Sequence, residues 1–95
     1  MPANLALTIS NSVREGRYVI GLHASERLEE RGIMEWQVID AMADAVVLRE
    51  QPDGVPNATA NFELLLPDGT AGVAVWAWLP KSRLAKLVTV FYPEG

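Results

Sequence analysis

Apolar residues in the first part of the chain recur at the spacing of a helix. Leu5, Ile9 and Val13 are four residues apart, which predicts a short amphipathic helix between residues 4 and 15 because side chains at that spacing share one helical face. Leu5, Leu7 and Ile9 also alternate. An extended strand is therefore the alternative interpretation of the same segment.

Two further helical segments follow a brief extended stretch at Tyr18–Ile20. Residues 24–31 are mostly good helix formers, and Gly32 stands where helices commonly end. After Ile33, apolar residues at three- and four-residue spacing predict a third helix that ends near Asp44. The apolar positions of this third helix are Trp36, Val38, Ile39, Met42 and Ala43.

The second half of the chain has the two-residue period of strands. Residues 46–48 predict a first strand, and residues 58–66 and 71–79 flank Pro67–Thr70, a turn sequence typical of a hairpin. A last strand is predicted at residues 86–92. Its regular alternation places Leu87, Thr89 and Phe91 on one side and Val88, Val90 and Tyr92 on the other.

Helices first and strands afterwards indicate an α+β domain. We expect two or three N-terminal helices packed on an antiparallel sheet of three to four strands. The chain has 95 residues, of which 49% are hydrophobic, a length that supports a single core. Residues 1–95 are therefore predicted to form a single domain.

Composition removes several classes of function. The chain has no cysteine and one histidine, which excludes disulfide frameworks, thiolate metal sites and multi-histidine metal centres. Eight Lys and Arg residues against twelve Asp and Glu residues give a net charge of -4, the wrong sign for a surface that binds nucleic acid all over. We expect no metal ion and no cofactor.

Membrane association is not predicted either. The apolar runs fall short of the roughly 20 residues that a membrane-spanning helix needs, and the first residues lack the charged and apolar regions of a secretory signal. A cytoplasmic protein without a membrane partner is the expectation.

Five residues are candidates for chemistry. His23, Arg27 and Arg31 follow one another at four-residue spacing, which places them on one side of a helix. Imidazole moves protons near neutral pH, and guanidinium groups bind phosphate. The alternative is structural, with both arginines in solvated ion pairs with nearby glutamates. Thr89 and Tyr92 on the last strand would add hydroxyl groups to a site, or serve only as strand-forming residues.

Two other groups of side chains carry alternative interpretations. Trp76 and Trp78 occupy alternate strand positions and share one face. Burial of that face under the helices is the interpretation we favour, and a protein interface is the other. Lys81, Arg83 and Lys86 concentrate positive charge before the last strand, where we favour a solvated turn over an anion-steering role.

The segment from His23 to Ile33 resembles the opening motif of the bacterial domain-of-unknown-function family 4258, H-A-x-x-R-x-x-E-R-G-I. Residues 15–18 resemble the turn that precedes this motif in the family. Residues 36–43 and 88–92 resemble the following helix and the closing strand with its threonine and tyrosine. That family is in turn similar to the RelE and ParE class of small toxins, whose fold places two N-terminal helices on an antiparallel sheet.

The activity that this resemblance implies is RNA cleavage without a metal ion. His23 would act as general acid or base, and Arg27 and Arg31 would stabilise charge at the scissile phosphate. Thr89 and Tyr92 would orient the site. The partners implied are RNA and an antitoxin protein.

A second hypothesis is a non-catalytic protein-interaction module, either a degenerate form of the toxin fold or an accessory protein of a toxin system. A basic cleft around His23 favours the enzyme. A neutral or acidic cleft together with an exposed tryptophan face favours the module. The oligomeric state stays open, although an unpaired edge strand would support a dimer.

Overall fold

Three helices and five strands make up the part of the chain that this computed structural model describes, residues 4–93. In chain order they are α1 (Leu5–Arg14), β1 (Tyr18–Ile20), α2 (Leu22–Glu30), α3 (Glu35–Ala41), β2 (Val46–Gln51), β3 (Thr59–Leu65), β4 (Ala71–Leu79) and β5 (Leu84–Phe91). A 3-10 turn, Met42–Asp44, extends α3. The α+β class predicted from the sequence is confirmed, and α1 is a helix rather than the alternative strand.

The strands form one mixed sheet in the order β1-β5-β4-β3-β2. Strands β2 to β5 are an antiparallel meander, while β1 pairs in parallel with β5, Tyr18 opposite Ala85 and Ile20 opposite Leu87. The prediction of three to four strands, all antiparallel, is therefore wrong. A three-residue segment carries no sequence signal for its partner strand, because strand pairing is decided by tertiary packing.

All three helices contribute to one core on one face of the sheet. The apolar face of α1 is buried against the sheet, with Leu5, Ile9 and Val13 at most 3% exposed. Trp76 lies in the same cluster at 0% exposure, and its ring meets the Tyr18 ring edge-on at 6.3 Å between centroids. Burial of each such large side chain contributes about 1.5–3 kcal/mol. The predicted burial of Trp76 is confirmed.

Strand β5 does not alternate regularly. Leu87 pairs with Trp76, but Thr89 pairs with the adjacent Val75, so one extra residue is inserted in β5 between them. After this bulge Val90 faces the core, as Leu87 does before it. The regular alternation predicted for residues 86–92 is wrong, because a bulge reverses which residues face the core without changing the hydrophobic composition.

The first turn of α1 is tied to the edge strand β2. The Asn4 side chain accepts a hydrogen bond from the Leu7 backbone N–H. Glu50 Oε1 of β2 accepts a second one from the Ala6 N–H at 2.8 Å. A carboxylate at this position satisfies a free backbone donor and interacts favourably with the positive end of the helix dipole.

We predict that Glu50→Ala lowers the free energy of unfolding by about 1 kcal/mol, since it removes a charged cap from α1. Glu50→Gln keeps the acceptor oxygen and should lose less. Urea denaturation followed by circular dichroism measures both changes.

The matched control is Glu63→Ala, the same substitution at an exposed position of the neighbouring strand β3. It should change stability by less than about 0.5 kcal/mol. Equal losses for Glu50→Ala and Glu63→Ala would show that the contact with α1 contributes nothing.

Candidate functional site

A glycine places α2 directly on β5. The Gly21 N–H donates to the Leu87 carbonyl oxygen at 2.9 Å, and a Cβ at Gly21 would lie only 2.8 Å from the same oxygen. Any larger residue would push the start of α2 away from the strand. Ala24 and Leu28 consequently face the core at 0% and 2% exposure, and the charged residues of α2 face outward.

The other end of α2 is closed by Gly32. Its φ of +67° suits a residue without a side chain. The Gly32 N–H donates to the Glu29 carbonyl oxygen at 3.1 Å and the Ile33 N–H to that of Leu28 at 2.9 Å. This pair of bonds is a Schellman motif, and it sets the position of Arg31, the last residue before the glycine.

His23 and Arg27 line one shallow groove on the exposed side of α2. The same groove is bordered by three carboxylates, those of Glu26, Glu29 and Glu30. Arg27 forms an ion pair with Glu30 at 3.5 Å, with about half of each side chain exposed. The surroundings of His23 are thus acidic, which opposes the approach of a phosphodiester.

Arg31 and Tyr92 are in contact at the C-terminal end of α2. The guanidinium carbon of Arg31 lies 4.0 Å from the centre of the Tyr92 ring, a cation–π arrangement. The Tyr92 hydroxyl donates a long hydrogen bond to Asp68 Oδ2 at 3.5 Å. Tyr92 therefore connects α2 to the turn between β3 and β4.

Thr89 lies on the other face of the sheet. It pairs with Val75, which lies between the core residues Ala74 and Trp76 of β4 and so faces the opposite side. Of the five candidate residues, the structure brings His23 together with Arg27 and Arg31 together with Tyr92. It separates Thr89 from both pairs.

A second groove was not foreseen from the sequence. It lies between α3 and the β3–β4 turn and is bordered by Trp36, Leu65, Pro67, Asp40 and Asp44. Trp36 is 66% exposed and Leu65 72% exposed. The sequence assigned Trp36 to the apolar face of the helix, but in this seven-residue helix Val38 is the residue that is fully buried. The signal available was the recurrence of acidic residues, Glu35, Asp40 and Asp44, among the apolar residues of this segment.

Two features are absent from residues 4–93, a group of three metal-ligating side chains and a helix able to cross a membrane. Over that range no three His, Asp or Glu side chains are grouped as metal ligands. No helix in the described part of the chain is both long and apolar enough to cross a bilayer.

Comparison with protein-family models, with curated proteins and with solved structures found no match for this chain. The resemblance of residues 23–33 to family 4258 and to the toxin fold accordingly stays a prediction.

The Asp68 carboxylate gives a prediction for the Tyr92 end of α2. The Thr70 hydroxyl donates to Asp68 Oδ1 at 2.6 Å and the Thr70 N–H at 3.0 Å. These two bonds, with a smaller contribution from Tyr92, hold the pKa of Asp68 below its ordinary value. Because the pKa of Asp68 is lower in the folded protein than in the unfolded chain, its ionised carboxylate stabilises the folded protein at pH values above the unfolded-state pKa. This stabilisation is lost as the pH falls through the folded-state pKa.

We therefore expect Thr70→Val to raise the pKa of Asp68, measured from the pH dependence of its carboxyl carbon signal by NMR. Tyr92→Phe should raise it less, since the tyrosine contributes the smallest of these bonds. A larger rise in the pKa for Tyr92→Phe than for Thr70→Val would show that Tyr92, and not Thr70, is the main cause of the lowered pKa of Asp68.

Proposed function

We propose that this protein is a protein-interaction module. Its binding site is the groove between α3 and the β3–β4 turn, here called the Trp36 groove and bordered by Trp36, Leu65, Pro67, Asp40 and Asp44. Its partner is a peptide segment that presents an apolar side chain flanked by lysine or arginine. The observation that carries the proposal is the 66% exposure of Trp36 beside the exposed Leu65.

An exposed tryptophan is a strong candidate for the centre of an interface. Trp36 and Leu65 expose large apolar side chains that share one concave surface, and Met34, at 63% exposure, lies on the same helix end. Tryptophan is enriched among the few residues that supply most of the binding energy in protein complexes. A partner side chain that fills the groove would remove this apolar area from water.

Charge selects the kind of partner. Asp40 and Asp44 border the Trp36 groove, and neither a lysine nor an arginine borders it among residues 4–93. Complementary charge at the rim of an interface speeds association and excludes like-charged partners. A cationic segment therefore suits this groove better than an acidic one.

We predict that Trp36→Ala weakens binding of a synthetic amphipathic peptide with a leucine face and lysine flanks by roughly tenfold or more, the effect of removing an interface hot spot. Calorimetry gives the dissociation constants. NMR of the Trp36 indole N–H signal shows whether the peptide occupies the groove. Asp40→Asn combined with Asp44→Asn should weaken binding less and reduce its salt dependence.

Val55→Ala is the matched control, because Val55 is an apolar residue of 92% exposure that does not border the groove. It should bind as the wild type does. If Trp36→Ala and wild type bind the peptide equally, the groove is not the interface.

RNA cleavage is the second candidate function. It is favoured by the exposure of His23 at the start of α2 and by the position of Arg27 in the same groove. In this proposal His23 transfers the proton and Arg27 contacts the phosphate, with Arg31 held on the Tyr92 ring at the far end of the helix. The three glutamates of the groove oppose this function, which is why it ranks second.

The test is metal-free cleavage of a mixed RNA by the wild type and by His23→Ala, with circular dichroism showing that both are folded. General acid–base catalysis predicts a loss of about 100-fold or more in the variant. Because His23 is exposed, its removal should leave stability within about 0.5 kcal/mol. Absence of cleavage in both proteins removes this candidate.

A further inference from the structure

Positive charge is concentrated in two short segments of this acidic chain. Residues 14–17 and 81–86 contain five of the eight basic residues and one of the twelve acidic residues. The basic residues are Arg14, Arg17, Lys81, Arg83 and Lys86, and the acidic one is Glu15. The two segments are far apart in sequence, so the pattern alone does not show that they meet.

The fold joins these segments at one end of the sheet. The Ala85 N–H donates to the Arg17 carbonyl oxygen at 3.3 Å, next to the first paired residues of β1 and β5. The Arg17 guanidinium donates to the carbonyl oxygen of Arg83 at 3.0 Å. Arg83 lies in the tight turn before β5 with a φ of 56°. Both arginines therefore lie in one local structure.

Neutral groups, rather than carboxylates, hold two of these cations, Arg14 and Arg17. Arg17 is bound by a backbone carbonyl, and the Arg14 guanidinium is bound by the amide oxygen of Asn11. The ion pair found among residues 4–93 is between Arg27 and Glu30, outside this cluster. A neutral acceptor orients a guanidinium without cancelling its charge, which leaves it available to an anion.

A groove of about 500 Å³ opens between α1 and the β4–β5 turn at this point. Arg17 and Arg83 border it together with Thr8, Asn11 and the half-buried Trp78, and Glu15 is the one carboxylate that the described part of the chain places there. Arg14 instead borders a neighbouring cavity that contains Asp40, and it is not part of this groove. The groove thus combines two guanidinium groups, small polar side chains and an aromatic wall.

We propose that this groove binds the phosphate groups of a nucleotide, either free or within a single strand. Arg17 and Arg83 contact the phosphate oxygens, because a guanidinium group matches two of them at once. Trp78 provides the apolar surface for the base. Lys81 and Lys86 add attraction at longer range. This site shares no residue with the Trp36 groove or with the groove at His23. Nucleotide binding here therefore does not depend on either proposed function.

The experiment titrates the wild type with inorganic pyrophosphate, adenosine diphosphate and a short single-stranded RNA, each without metal. Calorimetry measures affinity, and the indole N–H signal of Trp78 in NMR reports on the groove. We expect adenosine diphosphate to bind more tightly than pyrophosphate and to shift the Trp78 signal. Tighter binding of the RNA than of adenosine diphosphate identifies a strand as the ligand, and the reverse identifies a free nucleotide.

The variant Arg17→Gln with Arg83→Asn should lower the affinity by at least about tenfold, since two charge-assisted contacts are lost. Asparagine is chosen because it tolerates the left-handed backbone of residue 83. The control Arg49→Gln removes one exposed arginine from β2 and should bind as the wild type does. Thermal unfolding of each variant shows that it is folded.

Three results would overturn the proposal. The first is no binding of any of the three probes to the wild type. The second is equal loss of affinity in the double variant and in Arg49→Gln, which indicates attraction by overall charge only. The third is equal affinity for pyrophosphate and adenosine diphosphate with an unmoved Trp78 signal, which excludes a nucleotide.

Discussion

The parallel pairing of β1 with β5 decides where the main surfaces of this protein lie. Tyr18 to Ile20 add a strand to the edge of an antiparallel meander, and Gly21 continues the contact through its bond to the Leu87 carbonyl oxygen. Because Gly21 has no side chain, α2 starts directly against β5. The same pairing brings Arg17 beside Arg83. The position of His23 and the meeting of the two basic segments both depend on these few backbone bonds.

Charge is separated on this fold in a way that its net value conceals. A total of -4 suggests a uniformly acidic surface. Instead, carboxylates outnumber basic groups around the groove of α2 and the Trp36 groove, and guanidinium groups outnumber carboxylates around the groove between α1 and the β4–β5 turn. Opposite fields at different grooves allow one small domain to attract a cationic segment at one place and an anion at another.

The tryptophans show how position overrides residue type. Trp76 is fully buried beneath the helices, although its indole N–H has no hydrogen-bond partner among residues 4–93, and it packs edge-on against Tyr18. Trp78, two residues later in the same strand, is half-buried and borders a polar groove. Trp36 is mostly exposed on a helix of seven residues. One residue type thus serves as core, as groove wall and as a candidate interface centre.

Local patterns determined the helices, the four strands of the antiparallel meander and the hairpin turn, because spacing, capping and turn residues act over a few positions. The stripe of Leu5, Ile9 and Val13 and the stop at Gly32 are examples. Tertiary structure alone decided the parallel partner of β1, the bulge that reverses the end of β5 and the meeting of Arg17 with Arg83. These contacts join residues far apart in the chain, and their free energy depends on packing that no local pattern encodes.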